Sequence, residues 1–316
     1  MATLSKAPEI LKTGQARMNA RTDVSKFYNE ITYPLRPCSL DWAEPLRLLC
    51  PTSPKRILHA GCATGSQTRS MAYVFPDAEV VGVDFSEGSL ELARRWLRDP
   101  KLSKLKFERA DLTQPLDRFG EFDMVVSYGV LHHIPAVDQA VANIRRVLSS
   151  DRSPFFVFLY GKYGRARMSQ LQQALAMWQA AVPGLTEEQR MAALWAAAES
   201  NGTFSGPRGW LKRATVTASE KWRKVWWSSN ADAYLHPFVR YYDLGDILEL
   251  CEGSGLRFSG FVRRPGHNAK QYPQDEAALL QRFHIANADK LPDAERRLIV
   301  DRLASPSEYE FVCYRK

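Results

Sequence analysis

The sequence predicts an α/β protein built around a doubly wound, mostly parallel β-sheet. Short runs rich in β-branched residues alternate with helical periods between residues 55 and 160. Single helices separate the successive strands, which implies right-handed crossovers and parallel neighbours. The fifth run, PFFVFLY at 154–160, is apolar throughout, as expected for a strand that is buried on both faces.

Short apolar or alternating runs predict the first five strands at 56–60, 78–84, 105–111, 122–128 and 154–160. A helix follows the first strand and extends to about Phe75. Ser86 is the expected N-cap of the next helix, whose apolar face is formed by Leu90, Ala93, Trp96 and Leu97. The helix after the fourth strand has apolar residues at spacings of four, three and four, at Val137, Val141, Ile144 and Leu148.

The pattern changes after residue 160. One helix is predicted from Met168, Leu171, Leu175, Trp178 and Val182, and an alanine-rich helix follows at 191–198. The earlier alternation resumes with a helix at 243–252 and strands at 256–262 and 309–314, which a long polar connection joins. We expect these two strands to complete a seven-stranded sheet as an antiparallel, hairpin-like edge.

The chain therefore divides into four predicted regions. They are an N-terminal helical lid segment at 1–50, the first part of the core at 51–160, a tryptophan-rich helical cap insertion at 161–241, and the rest of the core at 242–316.

The composition is that of a globular protein, with 45% hydrophobic and 25% charged residues among 316. Wholesale disorder and a disulfide-stapled miniprotein are excluded. The five cysteines are dispersed without a C-x-x-C pair, which favours reduced thiols and no metal site. No apolar run is long enough to span a membrane, and the first twenty residues lack the apolar block of a signal peptide. We expect a soluble cytoplasmic protein with no membrane partner.

Most of the net charge of +8 lies in the predicted cap. Residues 161–242 contain eleven Lys and Arg against five Asp and Glu, together with six of the eight tryptophans. Such a segment suits an acidic substrate or a nucleic acid. The other interpretation is a helical insertion with tryptophans in its core and charges in solvent.

A glycine turn carries the strongest functional signal. Gly61 and Gly65 flank a turn between the first strand and its helix, where the backbone can approach a ligand closely. Asp84 ends the second strand, nineteen residues after Gly65, where a carboxylate can accept hydrogen bonds from both ribose hydroxyls. Asp111 ends the third strand. The carboxyl edge of the sheet is therefore the expected ligand site.

Four segments resemble the successive motifs of class I S-adenosylmethionine-dependent methyltransferases, and the LHH tripeptide resembles that of bacterial small-molecule members. The segments are ILHAGCATG at 57–65, VVGVD at 80–84, RADL at 109–112 and FDMVVSYGVLHHI at 122–134. The resemblance covers about residues 55–160 well and the last two strands loosely. It implies a Rossmann-like sheet with S-adenosyl-L-methionine as cofactor.

The resemblance also implies roles for individual residues. Gly61, Ala63 and Gly65 would face the methionine part of the cofactor, Asp84 the ribose, and Asp111 with the Leu112 backbone the adenine. The full predicted cofactor set is Tyr28, Tyr33, Gly61, Cys62, Ala63, Gly65, Asp84, Phe85, Asp111, Leu112, Ser127 and Tyr128. His59 replaces the family's usual acidic residue, and Ala63 its middle glycine. A nicotinamide site would need G-x-G-x-x-G, which GCATGS at 61–66 does not supply.

Two adjacent histidines are the predicted catalytic residues. His132 and His133 follow the fourth strand, where an imidazole could remove a proton from the acceptor. The alternatives are a capping role for one ring, and catalysis by orientation alone. Tyr28 and Tyr33 could shield the sulfonium through cation–π contact or pack as ordinary aromatics. Around the same mouth, the predicted substrate-binding residues are Tyr160, Tyr163, Arg165, His236, Tyr241 and Tyr242, with Asp232 beside them.

The predicted acceptor is a small molecule with a hydroxyl, amine or carboxylate, and the basic cap would suit one with negative charge. A nucleic acid is disfavoured because SYGV at 127–130 stands where amino-methylating enzymes of nucleic acids carry Asn/Asp-Pro-Pro-aromatic. A peptide, protein or RNA acceptor and a non-catalytic S-adenosylmethionine-binding regulator remain alternatives. The sequence does not predict an oligomeric state.

Overall fold

A computed structural model describes residues 24, 27, 28, 31, 33–35, 37–50, 52–203, 206–262 and 271–316. The predicted lid segment at 1–50 lies largely outside these residues. Within them, no helix is both long and apolar enough to cross a membrane.

The sheet has seven strands in the order β3-β2-β1-β4-β5-β7-β6. The strands are β1 (Arg56–Ala60), β2 (Glu79–Asp84), β3 (Leu105–Arg109), β4 (Met124–Tyr128), β5 (Phe155–Tyr160), β6 (Leu256–Phe261) and β7 (Glu308–Arg315). The first five are parallel, and β7 is antiparallel to both β5 and β6. The predicted fold class is therefore confirmed.

The last two strands pair with each other and complete the sheet as an antiparallel edge, as predicted. Within this pair β7 lies next to β5, and β6 forms the edge. The register of β5 with β7 pairs Tyr160 with Glu308. This pairing brings a carboxylate from the end of the chain to the carboxyl edge of β5.

Ten α-helices are present in the described residues. They are α1 (Ser66–Val74), α2 (Glu87–Ala93), α3 (Val137–Arg146), α4 (Ala166–Ala181), α5 (Glu187–Ser200), α6 (Gly206–Ala218), α7 (Glu220–Tyr234), α8 (Leu244–Gly253), α9 (Glu276–Arg282) and α10 (Asp293–Ala304). Thr186 and Asp243 begin α5 and α8 with capping boxes. The sequence did not predict α6, α7 or the two helices in the polar connection.

The second predicted helix changes form after Ala93. It continues as a 3₁₀ helix at Arg94–Arg98, in which successive side chains advance by about 120° rather than 100°. The apolar face that includes Leu90 does not extend along this turn, and Leu97 is exposed. The prediction that Leu97 belongs to the buried face is therefore wrong.

The core consists of one apolar layer on each face of the sheet. Alternate residues of β1 point to opposite layers, with Leu58 packed beside α3 and α8 and Ile57 beside α1 and α2. Both faces are covered, as the apolar sequence of β5 predicted. The carboxyl edge of the sheet is left as the place where loops can build a site.

The cap helices α4 to α7 enclose an apolar cluster of their own. Trp226 and Leu194 are central to it, and Phe27 and Ile31 of the N-terminal segment pack against it. Not all tryptophans of the cap belong to its core. Trp226 is buried, whereas Trp210 is 69% exposed. The cap is therefore a packed helical unit, and its basic side chains are mostly in solvent.

Candidate active site

The turn after β1 presents backbone at the carboxyl edge of the sheet. Gly61 and Gly65 adopt φ angles of +82° and +74°, in the region that favours glycine. A Cβ on Gly61 would lie 2.4 Å from Val130 Cγ2. The N–H groups of Gly61 and Cys62 both donate to the carbonyl of Val83, at 2.8 and 2.9 Å. These bonds fasten the turn to β2.

Asp84 ends β2, and backbone amides hold its carboxylate in place. Oδ2 accepts a hydrogen bond from the N–H of Ala63 at 2.8 Å, and Oδ1 accepts one from the N–H of Ser86 at 2.9 Å. Burial raises the pKa of Asp84, while these backbone hydrogen bonds oppose the rise. The carboxylate lies on a cavity wall, where its remaining lone pairs can accept from ligand hydroxyls.

The loop after β3 is ordered by side-chain hydrogen bonds. Asp111 Oδ1 accepts from the N–H and the hydroxyl of Thr113 at 2.9 and 2.7 Å. Asn143 Nδ2 donates to the carbonyl of Leu112 at 3.0 Å. Asp111 lies two residues beyond the end of β3 rather than within it. It lies on the cavity wall with Leu112.

A single cavity of about 1230 Å³ connects these features to the cap. Its wall extends from Asp84 and Asp111 to Tyr28 and Asp232. Pockets for drug-sized ligands measure about 300–1,000 Å³. This cavity therefore has space for two ligands side by side.

Three histidine rings lie together where the cap meets the sheet. The ring centroids of His132 and His133 are 4.2 Å apart, and those of His133 and His236 are 3.8 Å apart. Burial lowers the pKa of His133 to about 4 and places the pKa values of the other two well below their usual value. All three rings are therefore neutral at pH 7.

Of the two predicted catalytic histidines, His133 alone lies on the cavity wall. Its Nδ1 is 3.2 Å from the carbonyl of Phe238, which can only accept, so Nδ1 carries the proton and Nε2 the lone pair. Within the described residues Nε2 has no hydrogen-bond partner. His132 is fully buried and stacks on the ring of Tyr160 at 3.8 Å.

Five aromatic rings form what we call the aromatic end of the cavity: Tyr28, Tyr33, Tyr128, Phe158 and Tyr160. Two carboxylates and a guanidinium accompany them. The Tyr28 hydroxyl donates to Asp232 Oδ1 at 2.8 Å, and Arg165 Nη2 lies 3.8 Å from Glu308 Oε2. Burial raises the pKa of Asp232 to about 6.

Most predicted site residues line this cavity. Those on the wall are Tyr28, Tyr33, Gly61, Ala63, Asp84, Phe85, Asp111, Leu112, Tyr128, His133, Tyr160, Arg165 and Asp232. Those that do not line it are Cys62, Gly65, Ser127, His132, Tyr163, His236, Tyr241 and Tyr242.

Four members of the predicted substrate-binding set lie away from the wall and have other surroundings in the protein. The Tyr163 hydroxyl donates to Asp243 Oδ2 at 3.1 Å, and that of Tyr241 donates to Gln172 Oε1 at 2.9 Å. Tyr242 is fully buried in the core. His236 packs behind His133 and accepts at Nδ1 from the N–H of Phe238.

Among the wall residues that the sequence did not predict, three show why they were missed. Glu308 reaches the site only through the pairing of β7 with β5, which no local pattern reveals. Phe158 reads as ordinary core in an apolar strand. Gly129, with a φ of +79°, directly follows β4, two residues before the LHH motif, and could have been recognised as a turn at a strand end.

The site also explains the two departures from the family pattern. His59 faces away from the cavity, with Nδ1 2.7 Å from Thr68 Oγ1, and burial lowers its pKa to about 3. It is a neutral core residue. Ala63 adopts a φ of +46° and still donates its N–H to Asp84.

The residues on the wall fit S-adenosylmethionine. A Cβ added to Gly129 would meet no protein atom within 4 Å, although the residue lies on the wall. The space beside β4 is thus open rather than filled by protein side chains, and a ligand can occupy it. Asp84 supplies a carboxylate at the correct strand end for a ribose.

Comparison with known proteins agrees with this fit. Residues 57–151 match the sequence profile of a family described as a methyltransferase domain. The chain carries a class I methyltransferase domain. The methyl donor of such a domain is S-adenosylmethionine.

The relatives of this methyltransferase domain differ in what they are named for. An uncharacterised protein of Synechococcus is 32% identical over 216 residues, which are 66% of this chain and 49% of that protein. A malonyl-[acyl-carrier protein] O-methyltransferase of Legionella pneumophila is 30% identical over 132 residues, 41% of this chain and 42% of that enzyme. The chain spans half or less of these relatives.

A solved structure supports the fold over most of the chain. PKMT2 from Rickettsia typhi, in complex with AdoHcy, superposes with a TM-score of 0.61 at 16% identity. The alignment covers 90% of this chain and 54% of PKMT2. At this identity the similarity concerns the fold of the methyltransferase domain.

Proposed function

We propose that this protein transfers a methyl group from S-adenosylmethionine to the oxygen or nitrogen of a small molecule. One observation carries the proposal: a single cavity joins the Asp84 turn to the aromatic end beneath the cap. Donor and acceptor could therefore lie side by side, away from bulk water. Relatives named as a malonyl-[acyl-carrier protein] O-methyltransferase and a trans-aconitate 2-methyltransferase support the general class.

The proposed cofactor contacts follow from the donor set. Asp84 would bind the ribose hydroxyls, and Asp111 with the Leu112 backbone would face the adenine. The turn at 61–65 and Gly129 leave room for the methionine part. When bound, S-adenosylmethionine supplies a methyl group that an electron pair of the acceptor can attack.

The residues around the acceptor would orient it and remove its proton. His133 lies on the cavity wall, and its Nε2 carries a lone pair without a protein partner in the described residues, so His133 is the candidate proton acceptor. A hydrogen bond from the hydroxyl of Tyr28 to Asp232 fixes the position of the Tyr28 ring on the same wall. Orientation in this desolvated space would supply much of the acceleration.

Methyl transfer with tritium-labelled S-adenosylmethionine tests the proposal. The purified protein is incubated with a panel of hydroxyl, amine and carboxyl compounds or with a protein extract, and the products are separated by size. Label in small molecules supports the proposal, and label only in protein would replace it with a protein acceptor. Binding of the cofactor without any transfer would favour the regulatory alternative.

A further inference from the structure

The two carboxylates at the aromatic end have different electrostatic surroundings. Glu308 faces the guanidinium of Arg165 at 3.8 Å. Asp232 receives a hydrogen bond from Tyr28, and the charge of Arg165 partly offsets the effect of burial on its pKa, but in the part of the chain that the structure describes no cation lies within 4 Å of it. Two carboxylates and one cation leave this end of the cavity with an excess negative charge. A buried carboxylate without a cation is costly unless a ligand supplies one.

Arg165 is committed to protein groups. Its Nε donates to the carbonyl of Ser307 at 2.7 Å, and its Cζ lies 3.7 Å from the centre of the Tyr160 ring. The guanidinium is thus stacked on one side and bonded at its edge. A carboxylate ligand would compete with Glu308 for the Arg165 guanidinium, and the negative charges of Glu308 and Asp232 would repel it.

The rings of the aromatic end are continuous and suit a cation. The Phe158 ring lies 4.4 Å from that of Tyr128 and 5.8 Å from that of Tyr160. His133 connects Tyr160 with Tyr28 through contacts of 5.9 and 6.5 Å. Aromatic faces attract a desolvated cation. Arg165 and His132 already stack on the Tyr160 ring, so the faces of Tyr28 and Tyr33 are the ones considered for a ligand.

The Asp232 carboxylate on this wall can only accept hydrogen bonds. An ammonium group donates three hydrogen bonds and accepts none. Its needs therefore match this surface.

We infer, resting on the proposed function, that the acceptor is a primary amine bound as its ammonium ion between the Asp232 carboxylate and the rings of Tyr28 and Tyr33. The ammonium gives up one proton, for which His133 is the proposed acceptor, before its nitrogen lone pair takes the methyl group. An amine reverses the expectation of an acidic acceptor. The basic side chains that suggested it lie mostly on the outer surface of the cap, whereas at the aromatic end of the cavity Asp232 and Glu308 accompany Arg165.

The test uses three compounds of similar shape and different charge. Benzylamine, benzyl alcohol and benzoate are titrated into the full chain saturated with S-adenosylhomocysteine, and their affinities are measured by ligand-observed NMR. Benzylamine is expected to bind at least tenfold more tightly than the other two. Asp232→Asn should weaken benzylamine at least tenfold, and Glu220→Gln, which neutralises an exposed carboxylate on the same helix, should have no effect.

A second variant covers the case in which Asp232→Asn does not fold. Tyr33→Leu removes one aromatic face and should weaken benzylamine at least threefold while it leaves benzyl alcohol unchanged. The inference would be overturned if benzoate bound more tightly than benzylamine, or if benzylamine bound both variants as tightly as it binds the parent. Failure of S-adenosylhomocysteine itself to bind would instead refute the proposed function, so that the two failures are distinguishable.

Discussion

Single residues at this site combine functional placement with a cost in stability. Asp232 is buried to 3% exposure on the last cap helix, and its pKa rises to about 6 because burial disfavours the charged form. A carboxyl whose pKa is raised in the fold destabilises the fold above that pKa. The cost disappears as the pH falls towards the unfolded pKa, because the folded state then keeps its proton.

Asp232→Asn should therefore stabilise the protein while it impairs the site. The asparagine oxygen can still accept from Tyr28, so the hydrogen bond is retained. We expect a gain of about 2 kcal/mol in the free energy of unfolding at pH 7.5, with little difference at pH 4.5. Urea denaturation at the two pH values measures it. A destabilised variant at pH 7.5 would contradict the burial argument.

Substitutions of the two adjacent histidines should lower kcat to different extents. His133→Ala removes the imidazole on the cavity wall and should lower kcat by roughly 10²- to 10⁴-fold if its Nε2 accepts the proton. His132→Phe keeps a ring stacked on Tyr160 and should cost less than tenfold. Equal losses in both variants, measured with the same acceptor, would exclude His133 as the base.

At the scale of elements, two turns with nearly equal backbone angles have different surroundings. Gly61 and Gly129 have φ angles of +82° and +79°. A methyl group on Gly61 collides with Val130, whereas one on Gly129 enters the cavity. A substitution at Gly61 therefore tests packing within the protein, whereas a substitution at Gly129 tests the space available to the ligand.

Gly61→Ala should destabilise the fold more than Gly129→Ala, by about 1–3 kcal/mol, because overpacking adds to the shared backbone strain. Gly129→Ala should instead weaken S-adenosylmethionine binding with a smaller loss of stability. Thermal unfolding and calorimetric titration of both variants provide the comparison. If Gly129→Ala binds the cofactor as tightly as the parent, the cofactor does not occupy the space beside β4.

Local patterns predicted the sheet well because each strand is a short apolar run with a distinctive end. They failed for α6 and α7, where Gly206 and Pro207 near the start of α6 read as a break in the helix. They could not place Glu308, because its position depends on the antiparallel register of β7 across more than a hundred residues of intervening chain. They also could not show that Tyr163 and Tyr241 turn towards protein partners.

At the scale of the whole molecule, buried histidines should control its response to acid. His59, His132, His133 and His236 are buried, and burial lowers the pKa of each. As the pH falls below about 6.5, these imidazoles therefore become protonated in the unfolded chain but stay neutral in the folded chain. Stability from these groups is therefore present above pH 6.5 and is lost as the pH falls towards 4.

We expect the free energy of unfolding to decrease by several kcal/mol between pH 7 and pH 4.5, since the pKa of His59 is lowered to about 3 and that of His133 to about 4, and each of these two imidazoles contributes on the order of 3 kcal/mol over this range. Denaturant titrations across this range measure the slope. His59→Gln should reduce it, and the exposed His284→Gln should not. A profile that is flat over this range would show that these rings are accessible to protons in the fold.

The N-terminal segment, the cap and the sheet meet at the cavity. Tyr28 bonds to Asp232 of α7, Phe27 packs on the cap cluster, and Arg165 joins the start of the cap to β7. The site is therefore assembled from distant parts of the chain. The cavity of this site is assigned to S-adenosylmethionine.

The most direct test is calorimetric titration of S-adenosylhomocysteine into the protein freed of bound ligand, for the parent, Asp84→Asn and the exposed control Asp117→Asn. We predict 1:1 binding by the parent and the control. Asp84→Asn should bind at least tenfold more weakly, a difference of about 1.4 kcal/mol. Absence of binding by the folded parent, or equal affinity in Asp84→Asn, would contradict the assignment of this cavity to S-adenosylmethionine.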